Sequence, residues 1–230
     1  KGEENIDLVK TITANIRDPL STISDLRAQR AACNLGRNRV LELIETYGNA
    51  VLQQVFVNSL DSVEAAIRYR LRELSDGVGD AIGYLDDDGR NGPPTKVRVQ
   101  VTKLGDSLTV DLSGSDPQVA GAMNVPWSST RAGIVYAVRT VLAPELGTND
   151  GLLRALNVIC PQGNVLNPFP PAAVSVRHNT CQRFADTAIR ALVDLWPDLQ
   201  VAGSSVTFFG CNIGTTSPST GQPTVLADVV

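Results

Sequence analysis

From residue 22 to about 32, and again from 37 to 74, apolar residues recur at intervals of three and four, the period of one helix face. Val40, Leu41, Leu43, Ile44, Tyr47, Val51 and Val55 trace one stripe, and Leu60, Val63, Ala66, Ile67, Leu71 and Leu74 continue it in a new phase. The change of phase places a break near Asn58-Ser59, where Ser59, Asp61 or Ser62 can cap a second helix by accepting from its free N–H groups. Gly48 weakens the first helix without having to end it. The expected unit is a pair of charged helices joined by a short turn, an αα-hairpin.

Ser75-Asp76-Gly77 stops the helical pattern, and the period then becomes two. Residues 81–85, 95–103 and 107–112 read as strands, with Val97, Val99 and Val101 alternating against Arg98, Gln100 and Thr102. Leu104-Gly105-Asp106 between the last two predicts a hairpin. A polar turn, Ser113-Gly114-Ser115-Asp116-Pro117-Gln118, precedes a helix over 129–142. Short strands are expected at 156–160 and 172–176, joined through Asn167-Pro168-Phe169-Pro170-Pro171, which proline makes stiff and extended. An amphipathic helix over 182–195 carries Phe184, Ala188, Ala191, Leu192 and Leu195 on one side. Residues 203–224 show no period, and 225–230 read as a strand awaiting a partner. The fold class is therefore α+β: a helical hairpin over 1–78, then an antiparallel or mixed β-sheet with interspersed helices over 79–230. Both ends read as cut, so a larger subunit is expected, with the second segment truncated at its C-terminal end.

Composition narrows the function classes. With 230 residues, 43% hydrophobic and 19% charged, the chain can bury a core and is not disordered. Residues 1–90 hold 26 of the 44 charges, so the sparsely charged remainder belongs in a core or an interface. A net charge of −4 and a pI near 5.0 argue against nucleic acid as a partner. No run approaches eighteen apolar residues and the start lacks a signal peptide, so no membrane is expected and the cytoplasm is the default compartment. Cys33, Cys160, Cys181 and Cys211 are scattered, as small buried hydrophobes in a reducing compartment would be, rather than disulfides or a zinc site.

The single histidine bounds the chemistry: a triad or a multi-histidine metal site must use His178 or borrow from another chain. No GxSxG, HExxH or GxxxxGK[ST] motif is present. Asp86-Asp87-Asp88-Gly89 invites calcium, but an EF-hand loop beginning at Asp86 would put Val97 where its bidentate Glu belongs, so a solvated turn is preferred. Gly114-Ser115-Asp116-Pro117-Gln118 fits an anion-binding turn or a plain capped one. Val176-Arg177-His178-Asn179-Thr180-Cys181-Gln182-Arg183 runs from a strand into a helix. It can hold a substrate group at the helix N-terminus, or Asn179 or Thr180 can cap the helix while Arg177 and His178 make ordinary surface bonds.

Several segments together resemble the hydantoinase B/5-oxoprolinase family. They are Asn15-Ile16-Arg17-Asp18-Pro19, Asp25-Leu26-Arg27-Ala28-Gln29-Arg30-Ala31-Ala32, Glu42-Leu43-Ile44-Glu45-Thr46-Tyr47-Gly48, Asp86-Asp87-Asp88-Gly89 and Val110 through Gly121. Asn124-Val125-Pro126, Asn149-Asp150-Gly151, Pro161 through Pro168 and Pro171-Ala172-Ala173-Val174 complete the series.

The resemblance implies a central piece of a B-type subunit, such as that of N-methylhydantoinase, which works with an ATP-binding hydantoinase A-type subunit in a hetero-oligomer. It implies ATP-dependent hydrolysis of a cyclic amide, or else carboxylation of a ketone such as acetone or acetophenone. In both, phosphorylation turns a poorly reactive carbonyl-derived oxygen into a leaving group. A non-catalytic assembly module is the third possibility. The resemblance places ATP and Mg on the partner subunit and a divalent metal, Zn or Mn, in a region upstream of this chain. None of these is expected in residues 1–230, and the piece alone is expected to be inactive. His178 and Arg177 are the candidate catalytic residues, and Asn124, Asp116, Gln118, Asn179, Thr180 and Gln182 the candidate substrate-binding ones. The family pattern covers Gln182 better than His178, which points His178 toward substrate choice.

Overall fold

The computed structural model describes residues 3–16, 18–206, 210–221 and 223–229. Its contacts divide the chain into two compact units, Lys1–Phe56 with Gly210–Asp228, and Val57–Phe209 with Val229–Val230. The division expected at residue 78 follows the change from a helical period to a period of two, and marks the passage from α-helix to β-strand rather than a boundary between these units.

In the first unit, α1 (Ile6–Ala14) is absent from the hydropathy pattern but carries a standard start signal: the Asn5 side chain accepts from Leu8 N–H at 3.1 Å. Helix α2 (Pro19–Tyr47) follows, with Asp18 accepting from Ser21 N–H and proline in the first turn, where its missing N–H costs nothing. Glu4 receives two bonds from the Arg27 guanidinium, at 2.9 and 3.1 Å. Helix α2 runs unbroken through 33–36 and has no buried residue along its 29 positions. It ends at Gly48, whose φ of 84° no helix accepts, and α3 (Asn49–Glu73) begins at once. The expected break is thus ten residues out of place. Asn58-Ser59 lies within α3, where the Ser59 carbonyl and hydroxyl instead accept from the Asn149 amide. Cys33, expected to be buried, is exposed on α2. Strands β5 (Gly210–Thr216) and β6 (Pro223–Val229) pair as a two-stranded sheet, which gives the terminal apolar run its partner. Val230 of that run lies outside the described residues.

The second unit is built on a four-stranded sheet in the order β1 (Gly77–Leu85), β2 (Thr95–Leu104), β3 (Ser107–Asp111) and β4 (Leu156–Ile159). The first three strands are antiparallel, Gly77 pairing with Lys103 and Leu104 with Ser107 across the predicted hairpin. Strand β4 is parallel to β3, so the chain must cross over between them, which it does through α4 (Trp127–Leu142) and α5 (Gly151–Arg154). Alternation puts Val97, Val99 and Val101 on one face, where they are buried with Leu108 and Val110 under Ile67 and Leu71 of α3, Ile134 and Val138 of α4, and Phe184 and Leu192 of α6 (Arg177–Leu195). Lys103 points to the same buried face yet has partners there: Nζ donates to the Leu74 carbonyl at the end of α3 and pairs with Asp76 at 2.6 Å. That bond, seconded by Gly105 N–H, holds the Asp76 carboxyl below its ordinary range.

Three expectations fail here. Residues 172–176 form no strand, and α6 starts at Arg177, five positions early. Strand β1 also begins at Gly77 rather than 81, because glycines hide the alternation. They are there because α6 lies on them. A Cβ on Gly79 would stand 2.1 Å from the Ala191 carbonyl and 2.7 Å from Leu195 N, and one on Gly83 would stand 2.4 Å from Thr187 Oγ1. Among the described residues, no helix is long and apolar enough to cross a membrane.

Two substitutions of the same kind should therefore act in opposite directions. Gly79→Ala has backbone against it, which cannot yield, and is expected to cost about 1–3 kcal/mol. Gly36→Ala meets nothing within 4 Å on α2 and should stabilise that helix by about 0.4–1 kcal/mol. Denaturant unfolding of each variant measures both. Burial, with Asp111 nearby, raises the Cys160 thiol to about 11. Alkylation at pH 8 followed by peptide mapping should thus label Cys33 well before Cys160.

Candidate functional site

Strand β1 leaves the glycine contact at Gly83 with its alternation intact, so Tyr84 faces out and Leu85 in before the chain turns through Asp86-Asp87-Asp88-Gly89. The third of these carboxylates is structural. Asp88 is buried, and its Oδ1 accepts from Arg90 N–H at 2.9 Å and Gly92 N–H at 3.1 Å while Oδ2 accepts from Gly121 N–H at 3.2 Å. The Arg90 bond, aided by those of Gly92 and Gly121 and opposed by burial, holds its carboxyl below the ordinary range. Residue 121 must be glycine, since a Cβ there would overlap the Asp88 carbonyl at 1.7 Å.

Asn124 carries the connection onward. It is fully buried, its Oδ1 accepts from Val119 N–H at 2.8 Å, and its amide donates to the carbonyls of Val119, Gly121 and Ala173 at 2.9–3.1 Å. The start of α6 is bolted to the same segment. Val176 N–H donates to the Ala122 carbonyl at 3.0 Å, and Thr180 Oγ1 donates to the Met123 carbonyl at 2.6 Å. Three stretches distant in sequence, 84–88, 119–124 and 173–183, are thereby held together by buried polar side chains, as irregular backbone away from water requires.

Between them lies a cleft of about 300 Å³ lined by Tyr84, Leu85, Asp86, Asp87, Met123, Asn179, Arg183 and Val206. Asn179 and Arg183 are four residues apart on α6 and so share a face. Arg183 pairs with Asp186 at 3.9 Å, longer than a hydrogen bond. Its aliphatic stem crosses Gly83, 2.9 Å from where a Cβ would stand. Helix α6 has no side-chain cap, so the positive end of its backbone dipole is not occupied by Asn179 or Thr180 as the capping reading expects. Burial raises the Cys181 thiol, with Arg177 opposing.

Of the residues nominated from sequence, Asn179 alone lines the cleft. Thr180 holds Met123 in its wall and Asn124 holds the loops behind it. Arg177 is exposed beside the cleft wall and donates to the Val174 carbonyl at 3.3 Å, while His178 and Gln182 are half-buried on the first two turns of α6. Asp116 and Gln118 sit in a separate knot. Asp116 Oδ2 accepts from Lys96 N–H at 2.7 Å, extending the β2 ladder, and Gln118 Oε1 accepts from Phe169 N–H at 2.7 Å. The other lining residues, Tyr84, Leu85, Asp86, Asp87, Met123, Arg183 and Val206, are not among those nominated from sequence. The aspartate run stands out in the sequence, but its spacing matches no calcium loop and says nothing of a cleft. Two adjacent aspartates do not furnish a metal site, and among the described residues no group of three or more His, Cys, Asp or Glu converges on one.

A family model described as hydantoinase B/oxoprolinase matches residues 1–230. The chain is 32% identical over 214 residues to the B-type subunit of a putative D-/L-hydantoinase of Pseudomonas sp. (strain NS671), covering 88% of this chain and 36% of that one. Its fold matches the crystal structure of ATP-dependent caprolactamase from Pseudomonas jessenii with a TM-score of 0.85 at 24% identity, covering 98% of this chain and 39% of that one. It also matches a nucleotide-free acetone carboxylase with a TM-score of 0.81 at 16% identity, over 98% and 32% of the two chains. These two likenesses bear on the fold alone. The chain spans little more than a third of the length of the hydantoinase polypeptide it matches, 36%.

The lowered Asp88 pKa has a definite sign. A carboxylate whose folded pKa lies below its unfolded value of about 3.9 contributes stability above that value and loses it as pH falls through the folded one. Asp88→Asn should therefore be less stable than wild type at pH 7, and the gap should narrow as unfolding is measured at successive pH values below about 4.

Proposed function

Because the chain belongs to the hydantoinase B/oxoprolinase family, we propose that it forms part of the B-type subunit of an ATP-dependent cyclic-amide hydrolase that works in the cytoplasm with an ATP-binding A-type subunit. The observation that carries this reading is the match of the family over all 230 residues, with a relative named as the B-type polypeptide of a hydantoinase at 32% identity. The chemistry divides accordingly. A ring amide is a poor electrophile, and transfer of phosphate from ATP to its oxygen supplies a leaving group. The partner subunit handles ATP and Mg in this proposal, and a divalent metal, Zn or Mn, belongs to sequence upstream of this chain.

The contribution of residues 1–230 is a rigid polar wall. Asn179 and Arg183 offer N–H donors from α6 to a carbonyl or a phosphorylated oxygen, and the uncapped start of the helix reinforces them. Arg177 and His178 on the first turn of α6 are proposed to act at the edge of the same site, His178 by discriminating among substrates or donating to the leaving nitrogen.

The test is ADP release by the full complex, with hydantoin, 5-oxoproline or a lactam in one arm and acetone or acetophenone with bicarbonate in the other. Cyclic amides should stimulate release and ketones should not. Dependence on ketone and bicarbonate would move the chain to the carboxylase branch, and no turnover of either would leave an assembly module. His178→Ala is expected to lower turnover of the active substrate at least tenfold while subunit assembly and melting stay unchanged. Wild-type turnover in that variant would remove His178 from the site.

A further inference from the structure

The two walls of the cleft carry opposite charge. Helix α6 lines one wall with Arg183 and Asn179, which share a face, Arg183 lying 3.9 Å from Asp186 on the same helix, and the turn after β1 lines the other with Asp86 and Asp87. Asp87 Oδ1 also accepts from Gly89 N–H, which fixes that carboxylate on the turn. Tyr84, Leu85 and Met123 complete the lining with apolar surface between the two polar ends. The volume, about 300 Å³, suits a small molecule rather than a polymer.

A neutral ring uses the cleft only in part: its carbonyl can accept from Asn179 and Arg183, but nothing on it pairs with the aspartates. It has no formal charge to place against the guanidinium or the aspartates, and desolvating those groups without pairing them is costly. Hydrolysis changes this. The ring C–N bond breaks, the acyl carbon takes the hydroxyl of water, and the nitrogen takes a proton. At neutral pH a lactam then leaves a carboxylate and an ammonium on one flexible chain, with an apolar spacer between them. A hydantoin leaves a carboxylate and a neutral ureido group instead, which gives the aspartates nothing to pair with.

Resting on the cyclic-amide reading above, we infer that the cleft between α6 and the β1 turn is a binding site for a zwitterionic amino acid, its carboxylate on Arg183 and Asn179 and its ammonium on Asp86 and Asp87. It therefore receives the opened product of a lactam in preference to the closed ring. A site of this kind makes product release and product inhibition properties of this chain, and it separates lactams from hydantoins by the charge on the far end of the product.

Calorimetric titration of the full complex without ATP tests this without catalysis. The probe is 6-aminohexanoate, compared with hexanoate, hexylammonium, caprolactam and N-carbamoyl-β-alanine. The zwitterion should bind at least tenfold more tightly than any of the four. Arg183→Gln and Asp86→Asn should each weaken it at least tenfold, with Asp86→Asn leaving hexanoate binding unchanged. Circular dichroism monitors folding of each variant, and Asn179→Ala decides the same question if Arg183→Gln does not fold. Equal binding of either half-ligand or of the ring, no binding of 6-aminohexanoate, or indifference to these substitutions would overturn the inference. Lactam turnover by the complex without zwitterion binding would overturn it while leaving the hydrolase reading intact. Zwitterion binding without cyclic-amide turnover would do the reverse.

Discussion

The Ala191 carbonyl of α6 lies 2.1 Å from where a Cβ would stand on Gly79, so helix and strand meet through their backbones rather than through interlocking side chains. That closeness requires glycine at 79, while at Gly77 and Gly83 on the same face of β1 a Cβ would meet the Leu195, Thr187 and Arg183 side chains. It also sets the height of α6 above the sheet. From that height Phe184 and Leu192 reach the valines of β2, and the Arg183 stem passes over Gly83 toward the turn where β1 ends. The cleft wall is thus fixed by core packing.

The irregular segments depend on a second device. Loops 86–92, 113–124 and 161–176 carry backbone polar groups into the interior, where water cannot serve them. Asp88, Asn124, Asn164, Ser115 and Thr180 take the place of a ladder. Ser115 Oγ accepts from Arg98 N–H and donates to the Arg98 carbonyl, as a neighbouring strand would. The Asn164 amide donates to the carbonyls of Leu112 and Ser115. Among the described residues, no buried side-chain nitrogen or oxygen lacks a partner.

This explains which features were legible in the sequence. The alternation of Val97, Val99 and Val101, the hairpin at Gly105 and the apolar stripe of α6 are local patterns, and each appears where the pattern puts it. The start of α6 is not local. Among the described residues no side chain caps it, and it is held by Thr180 and Val176 bonding across to 122–123, more than fifty positions away. Residues 172–176 have strand composition, but the Ala173 carbonyl is taken by Asn124 and no strand pairs with them. The cleft joins residues nearly a hundred positions apart, Asp86 and Arg183. Periodicity cannot pair them, because their meeting follows from where two elements end rather than from any pattern within either.

Because α6 is seated by backbone contact, the side chains on its cleft face contribute little to holding it there. Asn179, Arg183 and, across the cleft, Tyr84 can change identity while the helix keeps its place over Gly77, Gly79 and Gly83. Mutational freedom and mechanical duty are assigned to different residues. A lineage built on this scaffold can diversify what it recognises through a few side chains without disturbing the frame, so long as Gly79 stays as it is.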